Sequence, residues 1–455
     1  MQAMTVPRWR ERVLWPAFSR VRSVGWAAID QGVVSAANFL SIFLLTRNLA
    51  TADFGAFMLA HTGLLLLTSV QSALVTQPHN VLAAALPRAE YRPFTGALLR
   101  MQLLMGASLC GVIAAAGLVV RFHAPGAGDI LLALAAAAFP WMGQEFVRRV
   151  LYTRGESRAA AINDWVTYGL QLGGTFALVF FLPGHATPIT ALGVFGASSL
   201  AGLAMGFWQL REHVSLDMGG GAGARRKVWR EVWQFGRWLT AQNLLVWFGS
   251  QGHSWVVGLM LGVEQVGIYR AVTHLINVLN PLRQTVYSYF PSRGARAYHA
   301  GGATGLERWV RRVTWVLPLV LLPPCLVLVA FPSWILELAY GDKYIGADLA
   351  LILSLATIAQ CMTFLKFPFD LGLLALRATK SIFYIYLIPV LLLSTTGVLA
   401  IHYFGLLGVP WSALIINAAL LFATWVAYTR KVGASVQRER ETQNAKVVDN
   451  GGERS

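Results

Sequence analysis

The 455-residue sequence predicts an all-α polytopic membrane protein, with twelve transmembrane helices arranged as two parallel-repeat six-helix bundles around a central polar cleft. Three observations support this fold class. Hydrophobic residues make up 56% of the chain and charged residues only 13%, whereas a soluble domain carries about 25% charged residues. Nearly uncharged stretches of about 20 residues, long enough to cross a bilayer, recur along the sequence. A polar segment between two apolar runs occurs once in each half.

Twelve segments have the length and hydrophobicity of a transmembrane helix. They are residues 24–46, 56–76, 97–120, 129–147, 161–182, 189–210, 236–260, 266–288, 310–331, 347–373, 382–403 and 406–428. With this assignment, all but five of the 37 Lys and Arg residues fall on the side of the N-terminus or in the tails. Cytoplasmic loops carry the excess of basic residues, so we expect both termini in the cytoplasm. The net charge of +16 is then explained without a nucleic-acid partner, and we expect a lipid bilayer to surround the protein.

The chain divides into five predicted regions. They are a basic cytoplasmic N-tail (1–23), an N-terminal six-helix bundle (24–210), a cytoplasmic basic and Gly-rich linker (211–235), a C-terminal six-helix bundle (236–429) and a disordered cytoplasmic tail (430–455). The linker contains "GGGAGA", which is not a phosphate-binding loop because no apolar strand precedes it and no Lys-Ser/Thr follows it. The run "RRKVWREVWQFGRW" after the glycines mixes Arg and Trp at helical spacing, which is typical of an amphipathic helix at the membrane surface.

The repeated polar segment indicates that the two bundles are related. "LTRNLATADFGAFML" separates spans 1 and 2, and "MLGVEQVGIYRAV" separates spans 7 and 8. An offset of 212 residues aligns Gly55 with Gly267 and Phe57 with Tyr269. Because each half has an even number of spans, both halves enter the membrane from the same side, and the repeat is parallel. This arrangement is typical of transporters with a substrate path between the halves.

Polar side chains on single helix faces predict what lines that path. A polar group at membrane depth is costly unless it faces the bundle interior or an aqueous cavity. At 100° per residue, spans 1, 5, 7 and 8 each gather polar residues on one face. The expected cleft residues are Asn38, Gln71, Gln242, His253, Arg270, His274, Asn277 and Lys366.

The charged residues among these candidates have two interpretations each. Arg270 faces the cleft or extends to the outer membrane interface, being only four residues inside its span. Lys366 and Asp370, four residues apart, form a structural ion pair or a mobile gate. Asp30 and Asp164, with Asp370, are candidate sites for a coupling proton or cation. Alternatively, Asp30 and Asp164 only neutralise neighbouring cations.

No arrangement of catalytic residues is found in the sequence. There is no Gly-x-Ser-x-Gly motif, no clustered acid pair and no Cys/His spacing typical of a metal site. Cys110, Cys325 and Cys361 all fall inside predicted spans, where a small buried apolar role is expected. We therefore expect neither enzymatic activity nor a metal or other cofactor, and protons or Na⁺ are the expected ions if transport is ion-coupled.

Several segments resemble a known family. "NFLSIFLLTRNLATADFGAFMLA" and "VGIYRAVTHLINVLNPL" resemble the span 1–2 and span 7–8 segments of bacterial polysaccharide transporters, and "EFVRRVLYTRGESRAAAINDW" and "LLALRATKS" resemble loops of the same family. The family belongs to the superfamily of multidrug extruders and peptidoglycan-precursor flippases, so the resemblance implies two six-helix bundles and alternating access.

The resemblance also implies a function. Such transporters move undecaprenyl-pyrophosphate-linked oligosaccharide from the cytoplasmic to the periplasmic leaflet of the bacterial inner membrane, for lipopolysaccharide or exopolysaccharide synthesis. A polysaccharide polymerase and glycosyltransferases are the partners it implies. The alternatives are a cation-coupled multidrug extruder of the same fold, and a non-transporting scaffold of a polysaccharide-export complex.

Overall fold

The fold is seen in a computed structural model that describes residues 17–83, 86–211, 214–215, 221–376 and 378–452. The described residues form helices and short connections, with no β-strand among them. Both ends of the described chain lie on one membrane face, which we call the inner face, because an even number of spans separates them. The opposite face is the outer face.

The N-terminal half contains six spans. They are α1 (Ala17–Asn48); α2 (Thr51–Gln71), which continues through a π-helical turn (Ser72–Thr76) into α3 (Gln77–Leu82); α4 (Arg88–Arg121); α5 (Pro125–Thr153); α6 (Ser157–Phe180); and α7 (Pro188–Leu210). Its core packs α5 against α4 and α7, and α1 lies along α6. Buried Phe57, Met142 and Phe195 fill the space between these helices.

The C-terminal half repeats the pattern. Its elements are α8 (Gly221–Met260), α9 (Val263–His274) followed by a 3₁₀ turn (Leu275–Leu279), α10 (Asn280–Ala330), the short outer helix α11 (Pro332–Tyr340) and a 3₁₀ turn (Gly341–Tyr344), α12 (Ala347–Ala375), α13 (Thr379–Leu392), a π-helical turn (Leu393–Gly397), α14 (Val398–Phe404) and α15 (Gly408–Gly452). Helix α10 holds parts of two spans, because Gly302 adopts φ +61° and turns the chain at the inner face. The π-helical turns of α2 and α13 lie in spans 2 and 11, one in each half.

Twelve spans are therefore present, as predicted. By length and composition alone, eight segments of the described chain are apolar enough to cross a membrane, and one of these, Lys380–Glu439, contains two spans. The spans that this criterion omits are those of α6, α8 and α9, which carry polar stripes. Their polarity is tolerated because other helices cover the polar faces.

Two predicted segments differ from the structure in conformation. The segment 430–455 was expected to be disordered, but α15 continues to Gly452, with Val432 buried and the Glu439 carboxylate accepting a hydrogen bond from the Ala303 amide at 2.8 Å. That bond caps the second part of α10. Apolar periodicity in the sequence does not reveal such a capping contact. The second half of the Gly-rich linker, from Gly221, belongs to α8, and the remainder of the glycine run lies outside the described residues.

Candidate functional site: a cleft between the two halves

A cavity of about 1090 Å³ lies between the two halves, lined by residues of α1, α2, α8, α9, α10, α12, α13 and α15. It extends from the middle of the bundle toward the inner face, where Gln31 of α1 and Gln284 of α10 line it. Six of the eight predicted cleft residues line this cavity. They are Asn38, His253, Arg270, His274, Asn277 and Lys366.

The outer end of the cleft is closed by the two repeated segments, which pack directly against each other. A Cβ placed on Gly55 would lie 2.0 Å from the main-chain oxygen of Val263, and one on Gly267 would lie 2.0 Å from that of Thr51. Only glycine allows two helices to approach so closely. The two equivalent residues of the repeat thus meet at the contact between α2 and α9.

Lys343 adds a second connection at the outer end. Its ammonium group donates hydrogen bonds to the main-chain oxygens of Thr46, at 2.8 Å, and of Leu49. These carbonyls end α1 and have no partner within that helix. A cation at a helix C-terminus also complements the helix dipole, although burial lowers the pKa of the Lys343 side chain. The C-terminal half therefore caps a helix of the N-terminal half.

One side of the cleft is sealed through the full membrane thickness by a seam between α2 and α8. The Trp247 indole donates to the Thr62 main-chain oxygen at 3.1 Å, and the Asn243 amide donates to that of Ser69 at 3.0 Å. The Trp255 indole donates to the Thr62 hydroxyl at 3.0 Å. Nearer the inner face, a Cβ on Gly236 would lie 2.8 Å from the Ala73 oxygen.

The other side of the cleft, between α1 and the segment from α9 to α10, is lined by exposed apolar residues. Leu40 and Val278 line the cleft and are 43% and 54% exposed. The cleft therefore combines a polar interior with an apolar edge.

Arg270 faces the cleft, which decides between its two predicted positions. Its guanidinium donates a hydrogen bond to the Gln251 side-chain oxygen, and its buried Nε has no partner within the described part of the chain. His274, one turn further along α9, has its Nε2 3.1 Å from the Phe39 oxygen and stacks on the Phe39 ring. The guanidinium is thus held by a neutral amide.

The cleft is basic. Among the described residues that line it, Arg270, Arg283 and Lys366 carry a positive charge, and none is Asp or Glu. Lys366 is held 2.6 Å from Asp370, which lies next to the cleft wall. The predicted ion pair in span 10 is therefore formed. A basic cavity shielded from bulk water favours an anionic ligand, because Coulomb interactions strengthen as the effective dielectric constant falls.

Two predicted cleft residues lie elsewhere. The Gln71 amide donates to the Met142 oxygen at 2.6 Å inside the N-terminal half, and Gln242 is half-buried on α8 without lining the cavity. A polar helix face indicates that the face packs against another polar group. In span 2 this group is a main-chain carbonyl of a neighbouring helix. The angular pattern alone cannot distinguish this contact from a cavity.

Asp30 and Asp164 also lie outside the cleft, where both are buried in a charge network of the N-terminal half whose Glu145 and Arg148 side chains are slightly exposed. Arg148 of α5 reaches Asp164 at 2.6 Å, Glu145 at 3.4 Å and Asp30 at 3.7 Å. Tyr152 donates a hydrogen bond to Asp30. The two aspartates therefore neutralise a cation and join α1, α5 and α6. A role of either aspartate in ion coupling remains a proposal.

Several residues that line the cleft were not predicted from the sequence. They are Gln251, Arg283, Gln360, Thr363 and Asn417. Thr363 of α12 and Asn417 of α15 are joined at 2.9 Å. Asn417 is an isolated polar residue in an apolar span, so no stripe marks it. The only available signal was the cost of a single amide at membrane depth.

No group of three or more His, Cys, Asp or Glu side chains suited to a metal ion occurs in the described parts of the chain. The three cysteines are free.

Comparison with known proteins identifies the fold and the family. A multidrug-resistance transporter of the MATE family and MOP superfamily, in an inward-facing conformation, matches with a TM-score of 0.75 at 13% identity, over 90% of this chain and 99% of that one. An outward-facing transporter of that description matches with a TM-score of 0.64 at 14% identity, over 92% and 96%.

A third structure is a MOP-superfamily transporter from Pyrococcus furiosus, described by the reversed polarity of its binding pocket; its TM-score is 0.66 at 14% identity, over 91% and 96%. No curated protein sequence matches the chain significantly. A family model described as polysaccharide biosynthesis protein matches residues 98–348. These residues are more than half of the chain, which therefore belongs to the polysaccharide biosynthesis protein family, with the twelve-helix fold of MOP-superfamily transporters.

Proposed function

We propose that the protein is a flippase that moves undecaprenyl-pyrophosphate-linked oligosaccharide from the cytoplasmic to the periplasmic leaflet of a bacterial inner membrane by alternating access. The observation that carries this proposal is Arg270, a buried guanidinium in a cleft without acidic lining residues. A pyrophosphate presents anionic oxygens, which guanidinium groups bind through charge-assisted hydrogen bonds. Lys366 supplies a second cation once its contact with Asp370 is exchanged for the substrate.

The rest of the cleft suits a glycan. Its volume of about 1090 Å³ lies just above the roughly 300–1,000 Å³ typical of small-molecule sites. Side chains that both donate and accept hydrogen bonds line it, among them Asn38, Asn277, Gln360 and Asn417. Sugar hydroxyls also both donate and accept, so amides can pair with them in many orientations.

The apolar edge of the cleft provides a place for the polyprenyl tail. In this proposal the tail stays in the bilayer beside Leu40 and Val278 while the polar head occupies the cleft. This arrangement avoids carrying a long hydrocarbon through a polar cavity, which would remove it from lipid at about 0.8 kcal/mol for each CH₂ group. In this proposal the lateral opening is the side between α1 and the segment from α9 to α10, because the α2–α8 seam closes the other side.

A cation-coupled multidrug extruder is the second candidate, because MATE-family multidrug transporters share the fold. The acids Asp30 and Asp164 would then bind the coupling proton or Na⁺. The basic cleft is the observation against this candidate, since cationic drugs would be repelled by Arg270. A scaffold without transport needs no polar cleft at all. Cytoplasmic termini, and a polymerase and glycosyltransferases as partners, remain part of the first proposal.

Transport in reconstituted vesicles tests the proposal. The assay would use an undecaprenyl-pyrophosphate-linked oligosaccharide as the substrate. Translocation would be measured as the access of a lectin or glycosidase to the glycan on the far leaflet. We expect Arg270→Gln to slow translocation by at least about tenfold, because a charged hydrogen bond contributes roughly 1.5–3 kcal/mol. Arg270→Lys should retain part of the rate. The matched control is Arg149→Gln, which removes an exposed arginine outside the cleft.

If Arg270→Gln moves the substrate as fast as the unaltered protein, the proposed role of the cleft is wrong. If the protein exports a cationic dye but not the lipid-linked oligosaccharide, the extruder replaces the flippase. Gene neighbourhood offers an independent check, since glycosyltransferase and polymerase genes beside this one are expected for a flippase.

A further inference from the structure

The inner part of α8 carries an exposed face of arginine and tryptophan that the proposed transport cycle does not use. Trp229 and Trp233 are 44% and 56% exposed, and Arg226, Arg230 and Arg237 are exposed. At 100° per residue these five side chains fall within about 100° of one another on the helix. We call them the Arg/Trp face.

The Arg/Trp face points away from both the protein core and the cleft. Val232, about 110° round the helix from the middle of this face, is fully buried in the core of the N-terminal half. Arg237 lies about 160° round the helix from His253, which lines the cleft. The α8 helix is therefore fixed against the protein by one side and presents these residues outward.

The same face continues along α8 into the membrane. Leu244 and Phe248, two and three turns beyond Arg237, are 39% and 45% exposed, and lie within about 60° of it on the helix. Exposed apolar residues at this depth face lipid tails. One continuous stripe of α8 thus changes from apolar to Arg/Trp toward the inner face.

The position of this change fits the level of the lipid headgroups. A hydrocarbon core of about 30 Å takes roughly 20 helical residues, and counting back from Gly258, near the outer end of α8, places the inner boundary close to Trp238. Trp233 then lies about 7 Å, and Arg230 about 12 Å, beyond that boundary. Tryptophan is enriched at this level, and basic residues within about a Debye length of the surface are attracted to anionic lipid.

We propose that the Arg/Trp face binds anionic phospholipid headgroups of the inner-face leaflet in preference to zwitterionic ones. Charge complementarity supports this occupant, because the acid nearest in sequence, Glu231, lies about 100° round the helix from Arg230. Arg237 lies over the Trp238 ring, 5.7 Å from its centroid, which places its guanidinium beside an interfacial aromatic. Attraction to an anionic leaflet strengthens the membrane binding of a basic segment about fivefold for each basic residue near the surface.

Tryptophan quenching by brominated lipids tests this proposal on the full-length protein in vesicles. Vesicles would contain the same mole fraction of dibrominated phosphatidylglycerol or dibrominated phosphatidylcholine. Because the chain has 16 tryptophans, the contribution of Trp233 to the fluorescence is obtained as the difference between the emission of the unaltered protein and that of Trp233→Phe. We expect that contribution to be quenched at least about twofold more by the brominated phosphatidylglycerol, and the preference to fall at high salt.

The double variant Arg230→Gln, Arg237→Gln should lose the preference while Trp233 remains quenched by both lipids. Trp411, 49% exposed near the outer end of α15 and without an Arg or Lys nearby in the sequence, is the reference, and Trp411→Phe should reveal equal quenching by both lipids. Unchanged Trp411 quenching in the double variant shows that it is folded. Equal quenching of Trp233 by the two lipids in the unaltered protein overturns the proposal, and so does the absence of quenching by either.

Discussion

The Trp247 indole nitrogen lies 3.1 Å from the main-chain oxygen of Thr62 and donates a hydrogen bond to it across the two halves of the protein. This bond is the middle of the α2–α8 seam. The outer ends of the halves also meet, through Gly55, Gly267 and the Lys343 side chain. The seam joins α2 and α8 along their membrane-spanning length, whereas the outer contact is confined to helix ends. We therefore expect the seam to persist while the outer contact opens.

Cross-linking distinguishes a permanent seam from an outer contact that must open. In a chain without its three native cysteines, Ser69→Cys and Asn243→Cys place thiols across the seam. We expect a short bifunctional thiol reagent to leave at least half of the transport rate. The pair Thr51→Cys and Val263→Cys, at the outer contact, should lose at least about 90% of it on cross-linking. Loss of transport on cross-linking the seam would show instead that the seam opens in the cycle.

The outer contact depends on two glycines. Gly55→Ala or Gly267→Ala places a Cβ 2.0 Å from a main-chain oxygen, so the contact cannot form without separation of α2 and α9. Double electron–electron resonance between spin labels at the outer ends of these helices should show a longer mean distance. Gly193→Ala is the control, because open space surrounds that position. An unchanged distance in both variants would contradict the importance of the contact.

Lys343 is expected to stabilise the same closed state. Lys343→Met keeps a long side chain but removes the ammonium group that caps α1 at Thr46 and Leu49. Losing a charged hydrogen bond costs roughly 1.5–3 kcal/mol, so the outer-open population should rise about tenfold or more in the same spin-label measurement. Lys343→Arg, which retains a cationic donor, should show a smaller rise. Equal populations in the Met variant and the unaltered protein would show that the cap does not hold the closed state.

The buried charges around Arg148 predict a stability difference between adjacent arginines. Arg148→Gln leaves Asp30, Asp164 and Glu145 without this cation, and breaking a buried ion pair costs roughly 3–5 kcal/mol. Arg149→Gln removes a cation that is 46% exposed and should cost at most about 1 kcal/mol. Thermal unfolding in detergent would compare them. Similar melting temperatures for both variants would show that the network contributes little.

A separate experiment tests ion coupling through that network. If Asp164 binds the coupling proton, Asp164→Asn should remove the dependence of transport on a pH gradient while the protein still binds substrate. Asp370→Asn, beside the cleft cation Lys366, is the control that alters the cleft and leaves the network intact. A gradient dependence that survives Asp164→Asn rejects Asp164 as the coupling site.

The fold was predictable because its signals are collective. Twelve hydrophobic segments, the basic loops and the offset between Gly55 and Gly267 each agree with one arrangement, and the structure has twelve spans in two repeats. Individual cleft residues were harder. Arg270 and Asn277 were identified because they share a helix face on α9 and the following turn, whereas Asn417 is a solitary amide in an apolar span.

The sequence does not reveal which group packs against a polar helix face. Gln71 and Asp164 follow the same helical periodicity as Asn38, yet a carbonyl covers the first and an arginine the second. Both partners come from α5, 71 residues from Gln71 and 16 residues from Asp164 in the chain. Periodicity reports that a face is buried, and only the packing of other helices decides whether it borders a cavity.

The contact between Gly55 and Gly267 also constrains how the two copies of the duplicated segment can diverge. Each glycine faces the main chain of the other copy, so no side-chain replacement in one copy can compensate for a larger residue in the other. Neighbouring positions, such as Phe57 and Tyr269, already differ between the copies. We therefore expect that, among homologues, both glycines vary less than the rest of the repeated segment, and that they are retained or lost together.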